Sequence, residues 1–209
     1  MNEKPVTFRS GDLSLEGMLA VPEKLAARAG VVCHPHPLYG GSMHNNVVGA
    51  ALAAMWGLDW ATLRFNFRGV GGSEGEHSGG EGEAHDATAS IVYAGVAAQL
   101  KPEQIVLAGY SFGAMASALA VPANPDLAAL LLIALPLRMA NLDALQQFKG
   151  PILLAAGDAD GYCPAPDLKV LAQRLGSRAQ VRIIEGTDHF FGGYEDELAA
   201  AITEMIASI

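Results

Sequence analysis

Residues 104–120, QIVLAGYSFGAMASALA, decide how the rest of the chain is read. Ile105, Val106, Leu107 and Ala108 form a short apolar run of the kind a fully buried strand requires, and the run stops at Gly109-Tyr110-Ser111-Phe112-Gly113. Small residues then follow, with Ala114, Ala116 and Ala118 suited to a helix lying close against a sheet. This is G-x-S-x-G between a strand and a helix, where the serine sits on a sharp turn that lifts its hydroxyl clear of the sheet. The glycines flank a position where a side chain would collide with the turning backbone. The start of the helix aims unpaired N–H groups at negative charge forming beside Ser111.

The pattern recurs at Gly71-Gly72-Ser73-Glu74-Gly75, but no helix begins at Ser73, which is read as loop. The motif gains its meaning from partners further along. Ile152 to Ala156 reads as a strand ending in Gly157-Asp158-Ala159-Asp160, and Ala179 to Glu185 as another ending before Gly186-Thr187-Asp188-His189. Serine, acid and histidine thus each follow a predicted strand, in the chain order that G-x-S-x-G hydrolases use. A serine hydroxyl is a weak nucleophile until an imidazole takes its proton, and that imidazole needs a carboxylate to fix its tautomer. Asp160 reaches further toward His189 and is the preferred acid. Asp158, beside Gly157, is better placed to accept loop N–H groups, and Asp188, adjacent to the histidine, is the least favoured acid, because neighbouring side chains on a loop generally diverge.

Upstream, Lys4 to Ser10 and Leu13 to Val21, separated by Gly11-Asp12, predict an antiparallel hairpin. Gly30 to Cys33 is a brief buried strand leading into His34-Pro35-His36-Pro37-Leu38-Tyr39-Gly40-Gly41 and a helix over Asn45 to Trp56. A second oxyanion donor belongs in that loop. Pro35 and Pro37 have no N–H, which leaves the backbone of His36, favoured, or Leu38. His34, His36 and His44 lack a cysteine or carboxylate spaced to complete a zinc site, so structural roles are expected for them.

Trp60 to Phe67 predicts a strand whose following glycines do not make a dinucleotide loop, because Glu74 stands where the third glycine is required. Glu74, Glu76, Glu81 and Glu83 read as a solvated acidic loop rather than a metal cage, and His77 and His85 as surface residues. A helix spans Glu83 to Leu100, with Arg68 paired to Asp86 as a scaffold contact. Leu127 to Leu135 is a further strand, Asn141 to Gln147 and Pro166 to Leu175 are helices, and Tyr194 to Ser208 is the last. Between Pro136 and Pro151 no multi-helix lid fits. Strand and helix alternate throughout, which predicts an eight-stranded, mostly parallel sheet with helices on both faces behind an antiparallel N-terminal pair.

The totals suit this reading. At 209 residues, 51% hydrophobic and 17% charged, the chain is expected to form one domain, 1–209, with an extensive core. Its net charge of −9 argues against a nucleic-acid partner. No apolar run approaches the roughly twenty residues of a membrane helix, and Met1-Asn2-Glu3-Lys4-Pro5 carries no export signal, so a cytoplasmic protein is expected. Cys33 and Cys163 are expected to be reduced thiols.

HPHPLYGGSMHNNVV (34–48), RFNFRGVGGSEGE (64–76), GYSFGA (109–114), GDADGYCP (157–164) and DHFF (188–191) together resemble the compact bacterial hydrolases of the α/β-hydrolase superfamily. The likeness extends distantly to dienelactone hydrolases and acyl-peptidase-like enzymes. It covers nearly the whole chain. The resemblance implies Ser111, Asp160 and His189 as a catalytic triad and the Phe112 and His36 N–H groups as oxyanion hole; no cofactor and no metal are expected. Dienelactone hydrolases use cysteine as nucleophile where this chain has Ser111, so that reaction is not carried over. The expectation is a serine hydrolase, monomer or homodimer, cleaving small acyl esters or thioesters. The missing lid predicts an open, shallow site that prefers short acyl chains. A peptidase or amidase of the same fold, and a non-catalytic binding module on it, are the competing readings.

Overall fold

In a computed structural model that describes residues 1–207 and 209, one eight-stranded sheet organises the chain. The strands are β1 (Lys4–Ser10), β2 (Leu13–Ala20), β3 (Ala29–Cys33), β4 (Ala61–Phe65), β5 (Ile105–Tyr110), β6 (Ala129–Ile133), β7 (Ile152–Gly157) and β8 (Ala179–Ile184). Their spatial order is β1-β2-β4-β3-β5-β6-β7-β8. Pairing is antiparallel from β1 through β2 to β4 and parallel from there to β8.

The helices are α1 (Asn46–Trp56), α2 (Glu81–Ala98), α3 (Phe112–Ala120), α4 (Leu142–Gln147), α5 (Ala165–Leu175) and α6 (Glu195–Ile206). Side chains of α2, α3 and α5 pack with Ile105 and Leu107 of β5 on one face of the sheet. Those of α1 and α6 pack with Val106, Ala108 and Tyr110 on the other. Successive β5 residues point to opposite faces, and both faces are covered, which is why the strand is apolar without alternation. Order reverses at β3, since the chain leaves it toward β4 on one side and β5 lies on the other. Open α/β sheets place ligands in the crevice at the strand carboxyl ends beside such a reversal.

Two expectations are corrected. Glu83 is not in a solvated loop: it is buried inside the first turn of α2, which begins at Glu81. Its carboxylate accepts from Ser78 N–H, Ser78 Oγ and Gly80 N–H at 2.8–2.9 Å, capping the helix it belongs to. Burial works to raise its pKa, but these donors outweigh it and hold the group below the ordinary glutamate value. His77 is likewise not a surface residue. Only 16% of its side chain is exposed, and its ring lies against His36 and Phe112, with Nδ1 2.8 Å from Glu83 Oε1 but out of line for a hydrogen bond. His85 is exposed. The expected Arg68–Asp86 pair forms, with Ser10 Oγ as a third partner of the buried carboxylate at 2.7 Å. Of the terminal helix expected through Ser208, that last residue lies outside the described ones.

Candidate active site

The serine is set by its own strand and helix. Ser111 follows β5 directly and adopts φ 53° and ψ −116°, a backbone conformation uncommon for a residue with a side chain. Its N–H donates to Ile133 O at 2.9 Å, and its carbonyl accepts from Ala114 and Met115 as α3 begins. A Cβ on Gly109 would overlap the Gly113 carbonyl, and one on Gly113 would overlap the carbonyl of Cys33. The two glycines are therefore what allows the turn to close and α3 to start against the end of β3.

The acid comes from the loop after β7. Asp160 is 3% exposed, and one oxygen, Oδ1, accepts the N–H groups of Tyr162 at 2.8 Å and Cys163 at 2.9 Å. Its Oδ2 is 2.8 Å from His189 Nδ1. Burial pushes this carboxyl upward, but the hydrogen bond with His189 and the two backbone donors outweigh it, so it is held below the ordinary aspartate value. Asp158 instead accepts the Gly186 N–H at 2.9 Å, and Asp188 accepts the N–H of Phe190 at 2.9 Å.

The histidine hangs on the loop between β8 and α6. Its Nε2 is 2.9 Å from Ser111 Oγ. Since Nδ1 faces an ionised carboxylate, the proton of the neutral ring belongs on Nδ1 and Nε2 is left as the acceptor for the serine hydroxyl. Tyr110, immediately before the serine, donates its buried O–H to the carbonyl of His189 at 3.0 Å. Burial first, then the nearby Asp160 and Asp188 charges, raise that phenol above its ordinary value, so it stays a donor. Nothing in the sequence marks Tyr110 for this duty, because a tyrosine at a strand end is ordinary core.

Around the loop after β3, the three histidines separate into different roles. His34 is buried, donates from Nδ1 to Pro35 O at 2.6 Å and accepts Phe67 N–H at Nε2 at 3.0 Å. Desolvation pushes its pKa down to about 4, which keeps the ring neutral. His36 Nδ1 accepts the Leu38 N–H at 3.3 Å, so that N–H is turned inward to its own loop. The His36 ring packs on Phe112 with centroids 4.8 Å apart, bringing the loop beside the start of α3. His44 is exposed. Among the described residues no group of three His, Cys, Asp or Glu side chains is arranged to hold a metal ion. Both cysteines are buried free thiols.

Ser111 and His189 line a cavity of about 490 Å³. Met115 and Pro136 contribute apolar wall, while Tyr39, Met139, Tyr162 and Phe190 stand at its margin. These residues come from four separate loops and one helix turn, so no single stretch of sequence announces the cavity.

A family model for the alpha/beta hydrolase domain matches residues 31–205. The chain belongs to the α/β hydrolase family. An uncharacterized protein of Rickettsia prowazekii is 32% identical, with 98% of this chain and 89% of that one covered. Among solved structures, an alpha-beta serine hydrolase homologue from Coxiella burnetii is 32% identical with a TM-score of 0.89, covering 99% of this chain and 98% of that one. A Xanthomonas campestris member of the a/b serine hydrolases without lid is 28% identical with a TM-score of 0.85, covering 100% and 95% respectively.

Proposed function

We propose that this protein is a serine hydrolase that cleaves carboxylic esters or thioesters through an acyl-enzyme, with Ser111 as nucleophile, His189 as general base and acid, and Asp160 as the carboxylate that orients it. The observation that carries this is the continuous file of Ser111 Oγ, His189 Nε2 at 2.9 Å, and His189 Nδ1 with Asp160 Oδ2 at 2.8 Å, opening on the cavity. The description of the Coxiella and Xanthomonas relatives as serine hydrolases supports the same reading.

In the first half-reaction Ser111 Oγ bonds to the carbonyl carbon and its proton passes to His189 Nε2. Asp160, ionised at neutral pH, stabilises the resulting imidazolium without taking the proton. The carbonyl oxygen, now anionic, is received by the N–H groups of Phe112 and His36. Neither N–H has an acceptor within the chain among the described residues, whereas the alternative donor, Leu38, is engaged by the His36 side chain. Collapse breaks the bond to the alcohol or thiol, which leaves with the proton from Nε2. Water then repeats the sequence on the acyl-Ser111 ester, releasing the acid.

Incubation with a fluorophosphonate should label folded wild-type protein at Ser111 and abolish ester hydrolysis, and Ser111→Ala should neither label nor retain more than about 10⁻⁴ of the wild-type kcat. Wild-type protein that stays unlabelled while hydrolysing nothing would remove the assignment. A p-nitrophenyl ester against the matched anilide separates esterase from amidase chemistry.

A further inference from the structure

The lining of the cavity over Ser111 contains neither Lys nor Arg, and neither Asp nor Glu; His189 and His36 are its titratable rings apart from tyrosine phenols. Its opening is apolar. Tyr39 (86%), Phe190 (62%), Met139 (64%) and Tyr162 (59%) are large side chains left mostly exposed, and all four lie at this cavity; Leu38 (70%) stands next to Tyr39 in the same loop. Exposed apolar side chains scattered singly need no explanation, but several collected at one opening mark a surface that something apolar covers. Here that surface is continuous with the serine, so the group that covers it is attached to the scissile carbonyl or its leaving group.

We infer that the cleft selects esters whose acyl chain is apolar, uncharged and of medium length, and rejects esters that carry a carboxylate on that chain. This rests on the hydrolase reading of the site given above. Two observations support it. A volume of about 490 Å³ lies within the roughly 300–1,000 Å³ of pockets that hold ligands well beyond the size of an acetyl group. A carboxylate drawn into that space would lose its water with no cation to receive it, on a protein whose net charge is already −9 and beside the ionised Asp160. The missing lid therefore does not restrict the site to short chains: the rim residues supply from the loops the apolar cover that a lid supplies elsewhere. Met115, on α3 one turn after Ser111, lies within the lining, and Met139 stands opposite solvent at the margin.

The test compares kcat/KM for p-nitrophenyl acetate, butyrate and hexanoate with that for the p-nitrophenyl half-ester of adipic acid, which differs from the hexanoate by a carboxylate in place of the terminal methyl. Each methylene that enters the cleft is expected to raise kcat/KM about three- to fourfold, giving hexanoate at least a tenfold advantage over acetate. The adipate half-ester should fall at least about 100-fold below hexanoate. Met139→Arg, at an exposed position where folding is not at stake, should raise kcat/KM on the half-ester about three- to fivefold and lower it on hexanoate, because part of the apolar rim is lost. Equal binding of hexanoate and adipate esters to Ser111→Ala, or acetate as the preferred substrate of wild type, overturns the inference. The Ser111→Ala binding measurement does not require turnover, so the charge preference of the cleft is read even if the hydrolytic assignment fails, and fluorophosphonate labelling judges that assignment separately.

Discussion

Asp158 and Asp160 are two residues apart on one loop, and they do different work because their oxygens meet different donors. Asp158 closes the loop through Gly186 N–H, while Asp160 spends one oxygen on Tyr162 and Cys163 and presents the other to His189. Asp160→Asn is therefore expected to lower kcat by about 10³–10⁴ with KM nearly unchanged, because the amide forces the wrong tautomer on the imidazole. Asp158→Asn, measured beside it, should stay within about tenfold of wild type, since the amide oxygen still accepts the Gly186 N–H. A reversal of that ranking would exchange the two assignments. The preference for Asp160 was legible from reach alone, but Tyr110 was not. Its O–H finds the His189 carbonyl across 79 positions of sequence, a meeting that only the pairing of the strands arranges.

Among the elements, α2 is the one whose beginning the sequence misrepresents. Glu74, Glu76, Glu81 and Glu83 look alike in a row of glycines, yet Glu83 is 0% exposed and the other three are exposed. A capping carboxylate three residues into a helix is a known signature, but the usual Ser or Thr at the cap is replaced by Gly80, at φ 121°, which hid it. The consequence reaches the site, because Glu83 stands against His77, and His77 packs against both His36 and Phe112. Glu83→Gln puts an NH₂ where donors already converge. We expect a loss of about 1–3 kcal/mol, seen as a fall in Tm of roughly 3–10 °C by calorimetry. An unchanged Tm would mean that the cap contributes nothing.

Across the whole molecule, the buried titratable groups bracket a pH range of stability. His34 is neutral when folded, with its pKa pushed down to about 4, while in the unfolded chain it titrates near 6.5. Below 6.5 the unfolded state binds the extra proton, so stability falls as pH drops from there toward 4, by at most about 3 kcal/mol from this residue. Asp160 and Glu83, held low when folded, add to the loss at still lower pH, as the folded carboxylates must then be protonated. On the alkaline side, burial pushes Cys33 and Cys163 up to about 12 from an ordinary 9.0, so the unfolded chain releases protons first and stability falls as pH rises through 9.0. Urea unfolding at a series of pH values should show a plateau between about 6.5 and 9.0 with losses on both sides. A maximum near the pI of about 5.0 would contradict it.

Local patterns were enough for the architecture: apolar runs of strand length, glycines at the turns and the order serine, acid, histidine are read from neighbours a few residues apart, where steric and hydrogen-bonding rules act directly. They also brought Ser111, Asp160 and His189 forward as candidates, because each follows the carboxyl end of a strand. What emerged only on folding was everything that depends on which distant groups come to share a space. The burial of Glu83 and His77, the bond from Tyr110 to the His189 loop, and a cleft without cations under an apolar rim are of this kind. Such contacts join residues from separate loops at one sheet edge, and a chain written in one dimension records their identities but not their distances.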